Sequence, residues 1–566
     1  FSPQEAENLI THKLNRASGA PLSIPPELIT RITERSGGNP FFIDELLTYL
    51  QAQGIDPQDR HALAQLDLPT SLQSLILSRL DQLADSPRIT LKVASIIGRT
   101  FEAATLWGFY PPLGDEEHVK ENLHSLEQAD LTFQEAPEPD LSYAFRQVLT
   151  QEVSYESLPF ATRAVLHEQL GQFIERAYAT QLDQQLDRLA YHYGASQNEA
   201  KKREYLLKAG RRAQQVYANS AAIDYYQRLL PLLANAEKPD VLLDLGRVLE
   251  LVGRWREALD SYVQARDLAE AGGQPGYAAA AAQCALGDLA RKQGDYAAAA
   301  TWLAQARGGY EAQNDRAGVA QTMHYLGTLL ARQGDYAGAR RAYEESLAIR
   351  RELDDHRNTA SLLSNLAIVA RFENDLTAAR RLNEESLHIR QALGDRWAIG
   401  VSLNNLGLLA LMERNYDEAH SQLERALAIW REVGDRWAAA NTLVELGNLA
   451  RERASYGEAA ALYAESLAIN RELNDKMTIA YLFEDIGCLA ALQGAPRRAL
   501  RLAAAAANLR EAIGAPLAPA EVSRLNERLA SARQELSADE QLAAEAEGRA
   551  LSFEQAVGLA TGWTES

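Results

Sequence analysis

Leu326 to Asp355 reads LGTLLARQGDYAGARRAYEESLAIRRELDD, and the spacing of its small residues decides the fold. Gly327 follows a leucine, the triplet Gly334-Asp335-Tyr336 begins seven residues later, and Ala339 stands five residues beyond Gly334. The same triplet position recurs in steps of 40 as Gly294-Asp295-Tyr296, Asn374-Asp375-Leu376, Arg414-Asn415-Tyr416, Ala454-Ser455-Tyr456 and Gly494-Ala495-Pro496. Ahead of these turns lie Gly287, Gly327, Ala367, Gly407, Gly447 and Gly487, with Gly210 and Gly246 upstream. Behind them comes an alanine without exception: Ala222, Ala258, Ala299, Ala339, Ala379, Ala419, Ala459 and Ala499. Eight units therefore read as pairs of helices joined by a turn, with small side chains where two backbones must approach closely.

This Leu-Gly, Gly-Asp-Tyr, Ala, Tyr pattern resembles the tetratricopeptide repeat from about Lys201 to Ile513. Its 40-residue period exceeds the usual 34, which longer helices would explain. Asp315, Asp355, Asp395, Asp435 and Asp475 precede successive first helices, where a carboxylate caps free backbone N–H groups. The resemblance implies a right-handed superhelix whose first helices line a concave, partner-holding side. By family register, the recognition candidates are His324, Ser364, Asn404, Val444 and Glu484, three residues before the repeat glycine, with Asn448, Arg371 and Arg451 one or four after it. These positions change from unit to unit, as residues free of packing duty would. Arg316, His356, Arg396, Arg436 and Lys476 form a second ladder, readable as an anion-binding edge or as a solvated rim pairing with the capping carboxylates. Trp397 and Trp437 are either interface anchors or packing between neighbouring hairpins.

Upstream, the pattern from Leu68 to Leu158 is three helices followed by two short strands, LTFQEA and LSYAFR, around Pro137-Glu138-Pro139-Asp140. That order reads as a winged helix. Its third helical segment, DEEHVKENLHSLEQ, carries more acid than base, which excludes DNA reading by this domain. GGNPFFIDELL, PTSLQSLILSRLDQL and TQEVSYESLPFATRAVLHEQL, followed by the repeats and the tail EGRALSFEQAVGLA, resemble the carboxyl half of a STAND-class signal-transduction ATPase, most like bacterial members fused to class III adenylate or guanylate cyclase domains. The resemblance implies that Gly38, Asn39 and Pro40 lie against the adenine of a nucleotide. It also implies a histidine near the phosphate after Phe-Arg or Phe-Lys; here Phe145-Arg146 is followed by Gln147, which can donate a hydrogen bond but supplies no cation, so the phosphate-side candidates of the intact protein are Gln147 and, in the histidine's place, Arg146. Read from the residues alone, GGNP is a loop ahead of a helix.

The chain of 566 residues has 46% hydrophobic and 24% charged residues and a formal charge of −20, values of a water-soluble protein with no general attraction to nucleic acid or anionic lipid. No apolar run approaches a membrane span. The two cysteines, Cys284 and Cys488, fit a reducing cytoplasm. The absence of Met at Phe1 is read as the start of a fragment. There is no Gly-Lys pair for a phosphate loop, no His-Glu-x-x-His metal pattern and no Gly-x-Ser-x-Gly elbow, so no catalytic constellation is expected.

The sequence thus predicts a mainly α protein: a partial ATPase helical lid (1–67), a winged helix (68–158), bridging helices (159–200), an α-solenoid of eight repeats (201–513) and a helical cap (514–566). The expected role is a non-enzymatic sensor arm holding a protein or peptide in the repeat groove and controlling an upstream NTPase in cis, which would use ATP or ADP with Mg. No cofactor, metal, membrane or nucleic acid is expected for the chain itself. The alternatives are the arm of an ATPase-type transcriptional regulator and a plain tetratricopeptide scaffold.

Overall fold

The computed structural model describes residues 1–18, 24–52, 56, 71–271, 276–517 and 519–562; the expected boundary at 67–68 lies outside them. Two compact units result, Phe1–Gln264 and Ala265–Ser566.

The first unit opens with α1 (Pro3–Ser18), α2 (Pro26–Ser36) and α3 (Pro40–Ala52), packed around Ile10, Ile32 and Leu46. The GGNP segment is the hinge between two of them. Gly37 ends α2 in the left-handed region at φ 57°, the conformation that favours glycine. Asn39 then starts α3, its side-chain oxygen accepting from the Phe41 and Phe42 N–H groups at 3.0 and 3.3 Å, with Pro40 in the first helical position.

After α4 (Leu72–Asp81) come α5 (Asp85–Ile97), β1 (Thr100–Glu102), α6 (Ala103–Phe109), α7 (Glu116–Gln128), β2 (Thr132–Ala136) and β3 (Ser142–Phe145). The expected hairpin is present, but the sheet has a third strand: the order is β1-β3-β2, antiparallel, with Phe101 opposite Tyr143 and Phe133 opposite Ala144. With only three residues, β1 is too short to show a period of two in the sequence. α8 (Val148–Glu156), α9 (Phe160–Ala177) and α10 (Leu186–Ala195) follow. The unit continues through α11 (Glu199–Gln215), α12 (Asn219–Leu229), α13 (Lys238–Leu251) and into α14 (Trp255–Ala271). Gly210 faces Tyr226 and Gly246 faces Tyr262, the small-against-large contact that the repeat spacing calls for.

The second unit is a solenoid of paired helices: α15 (Tyr277–Gln293) with α16 (Tyr296–Ala312), α17 (Arg316–Arg332) with α18 (Tyr336–Glu352), α19 (His356–Phe372) with α20 (Leu376–Ala392), α21 (Arg396–Met412) with α22 (Tyr416–Val433), α23 (Arg436–Glu452) with α24 (Tyr456–Leu473), and α25 (Lys476–Leu492) with α26 (Pro496–Ala512). These helices are 17 or 18 residues long, which accounts for the 40-residue period as expected. A Cβ added at Gly287, Gly327, Gly407 or Gly447 would fall 2.5–2.8 Å from Leu303, Tyr343, Leu423 or Tyr463, so each glycine marks where the second helix presses into the first. Asp315, Asp355, Asp395, Asp435 and Asp475 all cap their first helices, accepting from the N–H three residues on at 3.0–3.2 Å. Buried Ser346, Ser386 and Ser466 each donate from second helix to first, to the carbonyls of Ala320, Ala360 and Ala440 at 2.7–2.8 Å. Such serines spare the crossing an unpaired hydroxyl.

Beyond the last pair lie α27 (Pro519–Arg528), α28 (Ala530–Gln534), α29 (Ala538–Ala550) and α30 (Phe553–Thr561). Ala556, Val557 and Ala560 complete a core with Leu482 and Leu502. Arg498 fixes this cap by donating to the carbonyls of Leu559 and Ala560.

Candidate functional site

Successive first helices of the second unit pack against one another, as α15 on α17, α21 on α23 and α23 on α25, and they do so more closely than successive second helices. They therefore line the inner side of the curve. On that side α21, α23 and α25 enclose a groove of about 620 Å3, a volume suited to a small molecule or a few peptide residues. Positions four apart reach it: Trp397, Val401 and Asn405 from α21, Trp437, Asn441 and Glu445 from α23, Tyr481 and Asp485 from α25.

Of the eight recognition candidates, Asn404, Val444 and Asn448 line this groove. Arg371 lines an adjoining hollow of about 70 Å3 that shares Asn405 with it. His324 lies in an earlier repeat, bonded to the Asn365 amide at 2.9 Å; burial, aided by Arg350, pushes its pKa down to about 4 and keeps the ring neutral. Three candidates are corrected. Ser364 is buried and shares a hydrogen bond of 3.0 Å with Ser386, Glu484 is buried in a two-bond ion pair with Arg510 at 2.6 and 3.1 Å, and Arg451 is buried between Tyr463 and Asp485. They are not free of packing duty, because each is held by a side chain of another helix: Ser386 of α20, Arg510 of α26 and Asp485 of α25.

Sequence reading missed Asn405, Glu445 and Asp485, which recur in steps of 40 two residues before the repeat glycine. Their signal was the change from amide to acid along that series. Burial and the like charge of Asp485 push the Glu445 carboxyl up to about 7, against the pull of Asn448, Arg371 and Arg451.

Trp397 and Trp437 remain 54% and 57% exposed, unusual for such large apolar side chains. Each indole donates to the capping aspartate of the next hairpin, Asp435 and Asp475, both at 2.9 Å. They bridge neighbouring hairpins, and their rings line the groove. Trp430 stands edge-on to Trp397 with centroids 6.0 Å apart and donates to Thr442, which donates in turn to Asn404. The cationic ladder is a rim: Arg316 pairs with Glu352 at 2.7 Å, Arg436 with Glu472 at 2.6 Å, and Arg396 with Glu432. The partners of these three arginines are glutamates at the end of the second helix rather than the capping aspartates, whose oxygens already hold N–H groups, while His356 lies 3.4 Å from Asp354.

In the first unit, Asn39 is occupied as the cap of α3. Arg146 pairs with Asp130 at 2.7 Å. The Gln147 amide points at Glu45 of α3 at 3.4 Å, and Glu45 also accepts from Arg79 of α4 at 2.5 Å. The buried Gln147 Oε1 has no partner, and an acceptor there does not suit an anionic phosphate. These five residues thus do not by themselves make a nucleotide site. Among the described residues no cluster could hold a metal ion, and no helix is long and apolar enough to cross a membrane.

A buried histidine pair lay outside the sequence reading. His167 and His192 meet through their Nδ1 atoms at 2.9 Å and Tyr155 bonds His167 Nε2 at 3.0 Å; burial pushes their pKa values down to about 4 and about 3.

Solved structures with a similar path include the Signal Transduction ATPase with Numerous Domains protein with a tetratricopeptide repeat sensor from Pyrococcus horikoshii, at 14% identity and TM-score 0.46 over 83% of this chain and 69% of that one. A Rap protein complexed with Competence and Sporulation Factor is similar at 12% identity and TM-score 0.41 over 71% and 99% of the two chains. Aspartyl phosphate phosphatase F from Bacillus subtilis is similar at 11% identity and TM-score 0.41 over 72% and 96%. No curated protein sequence matches the chain. The tetratricopeptide repeat family matches residues 237–312, 318–392 and 398–472, a stretch that includes α21 and α23 of the groove and ends before α25.

Proposed function

We propose that this chain is the sensor arm of a STAND-type ATPase and that a peptide or protein segment binds in the groove of α21, α23 and α25. The observation that carries the reading is the groove itself: fixed indoles of Trp397 and Trp437 beside the amides of Asn404, Asn405 and Asn441. Carboxamides can donate to and accept from a peptide main chain, and rigid aromatics supply contact area at small entropic cost. Panning a bead-borne library of random N-acetylated hexapeptides on the full chain tests it. Peptides should be retained by the wild type and lost with the Trp397→Ala/Trp437→Ala double variant; equal recovery by both would count against the groove.

The order of motifs supports a role in cis. The winged-helix reading of α5 to β3 fits the helix and strand order of that module. In this reading the upstream NTPase holds ATP or ADP with Mg, and a nucleotidyl cyclase is the effector. The junction of Glu45 with Arg79 and Gln147 ties the lid helix α3 to the segments flanking the three-stranded module. Occupation of the groove must then favour one of two states of the whole protein by differential binding. In a protein carrying the upstream module, Glu45→Ala should leave peptide binding intact and abolish its effect on ATP turnover; a retained effect would remove the junction from the account.

A further inference from the structure

The groove has no lysine or arginine among its lining residues, yet Asp435, Glu445 and Asp485 all face it. Two of these carboxylates are already engaged. Asp435 caps α23 and accepts the Trp397 indole, while Asp485 accepts from Arg451 at 3.0 Å and from Arg528 at 3.3 Å. Glu445 is in no ion pair among the described residues, and its side-chain hydrogen-bond partner is the Asn448 amide. A poorly hydrated carboxylate in no ion pair is costly to keep ionised, a cost that Arg371 and Arg451 offset only in part, and it is complementary to a cation arriving from outside. The walls specify the cation further. Trp397 and Trp437 offer exposed ring surface at fixed orientation, which suits a long methylene stem or a flat guanidinium.

Resting on the groove as a peptide site, we infer that its occupant is an extended peptide segment presenting a lysine or arginine side chain, whose cationic head pairs with Glu445 and whose stem lies along Trp397 and Trp437. The groups facing Glu445 are Asp485 of α25, Arg371 of α19, and Arg451 and Asn448 of α23, with Asp435 also on the groove wall. Burial and Asp485 hold the carboxyl at about 7, so near neutral pH the empty groove is protonated about half of the time. Binding a cation ionises it and releases the proton. Affinity therefore rises about tenfold from pH 6 to pH 8, as the fraction already ionised grows.

The library of N-acetylated hexapeptides, panned on the full chain at pH 8 and pH 6, tests this with three variants: Glu445→Gln, the double tryptophan variant, and Glu458→Gln, which removes an equal charge from an exposed site outside the groove. Thermal melts establish that each variant is folded. Lysine or arginine should be enriched at one position by the wild type and by Glu458→Gln, and enrichment should vanish with Glu445→Gln and fall about tenfold at pH 6. Enrichment of apolar or acidic residues that still depends on the tryptophans would overturn the cationic occupant and leave the groove reading standing. Basic enrichment that survives Glu445→Gln would overturn the assignment to Glu445. Competition by n-butylammonium at the same concentration as the selected peptide would overturn the peptide in favour of a free amine. Recovery that ignores the tryptophans, or no recovery at all, would overturn both inference and groove.

Discussion

Glu445 shows how one side chain can trade stability for binding. Its carboxyl is raised from 4.5 to about 7 by burial and by Asp485, so the folded state binds a proton that the unfolded chain releases. The sign follows directly: this stabilising term is fully present below pH 4.5 and is lost as pH rises through 7. Above pH 7 the ionised wild type carries a burial penalty that the neutral Glu445→Gln side chain lacks, so the variant's melting temperature should exceed the wild type's at pH 8, by the equivalent of about 1–3 kcal/mol, with the gap closing near pH 4.5. Equal melting at pH 8 would mean that the carboxylate is well solvated. At this scale the sequence was legible where a residue acts on its own backbone, as with the five capping aspartates. It was illegible where the role depends on a partner from another helix. Ser364, Glu484 and Arg451 looked free only because Ser386, Arg510 and Asp485 lie 22 to 34 residues further along the chain.

Every helix pair in the array turns on a residue in the left-handed region. Glycine fills it at Gly294, Gly334 and Gly494, but Asn374, Arg414 and Ala454 occupy it at φ between 57° and 62°. A Cβ in that conformation costs about 1 kcal/mol, and most for a residue such as Ala454 that has no polar group to compensate. Ala454→Gly should therefore raise the midpoint of urea unfolding, the gain in native-state strain of about 1 kcal/mol being reduced by the greater freedom of glycine in the unfolded chain. A lowered midpoint would contradict the turn geometry. The period of 40 made these elements readable before any coordinates, since turn, small residue and alanine repeat together. β1 escaped because three residues carry no period, and its partners on β3 lie 40 to 44 residues further along the chain.

The solenoid of the second unit has an end that must be covered. α30 supplies Ala556, Val557 and Ala560 to the core around Leu482 and Leu502, and Arg498 ties it down through two carbonyls. Ending the chain at Gly514 should expose that apolar face, lowering the melting temperature and producing concentration-dependent association in sedimentation velocity; a monomeric, equally stable protein would show that the tail is dispensable. The groove follows from the same stacking, since three first helices must lie side by side before Trp397, Glu445 and Tyr481 can meet. Sequence periodicity gave the stack, but the choice of face rested on side-chain packing that repeats only in part. Hydrogen–deuterium exchange of the full chain, with and without a saturating peptide selected from the library, reports which helices hold the peptide. Exchange should slow in Arg396–Met412, Arg436–Glu452 and Lys476–Leu492, with Tyr416–Val433 and Tyr456–Leu473 little changed. Slowing confined to those second helices, or none within Ala265–Ser566, would contradict binding in the groove.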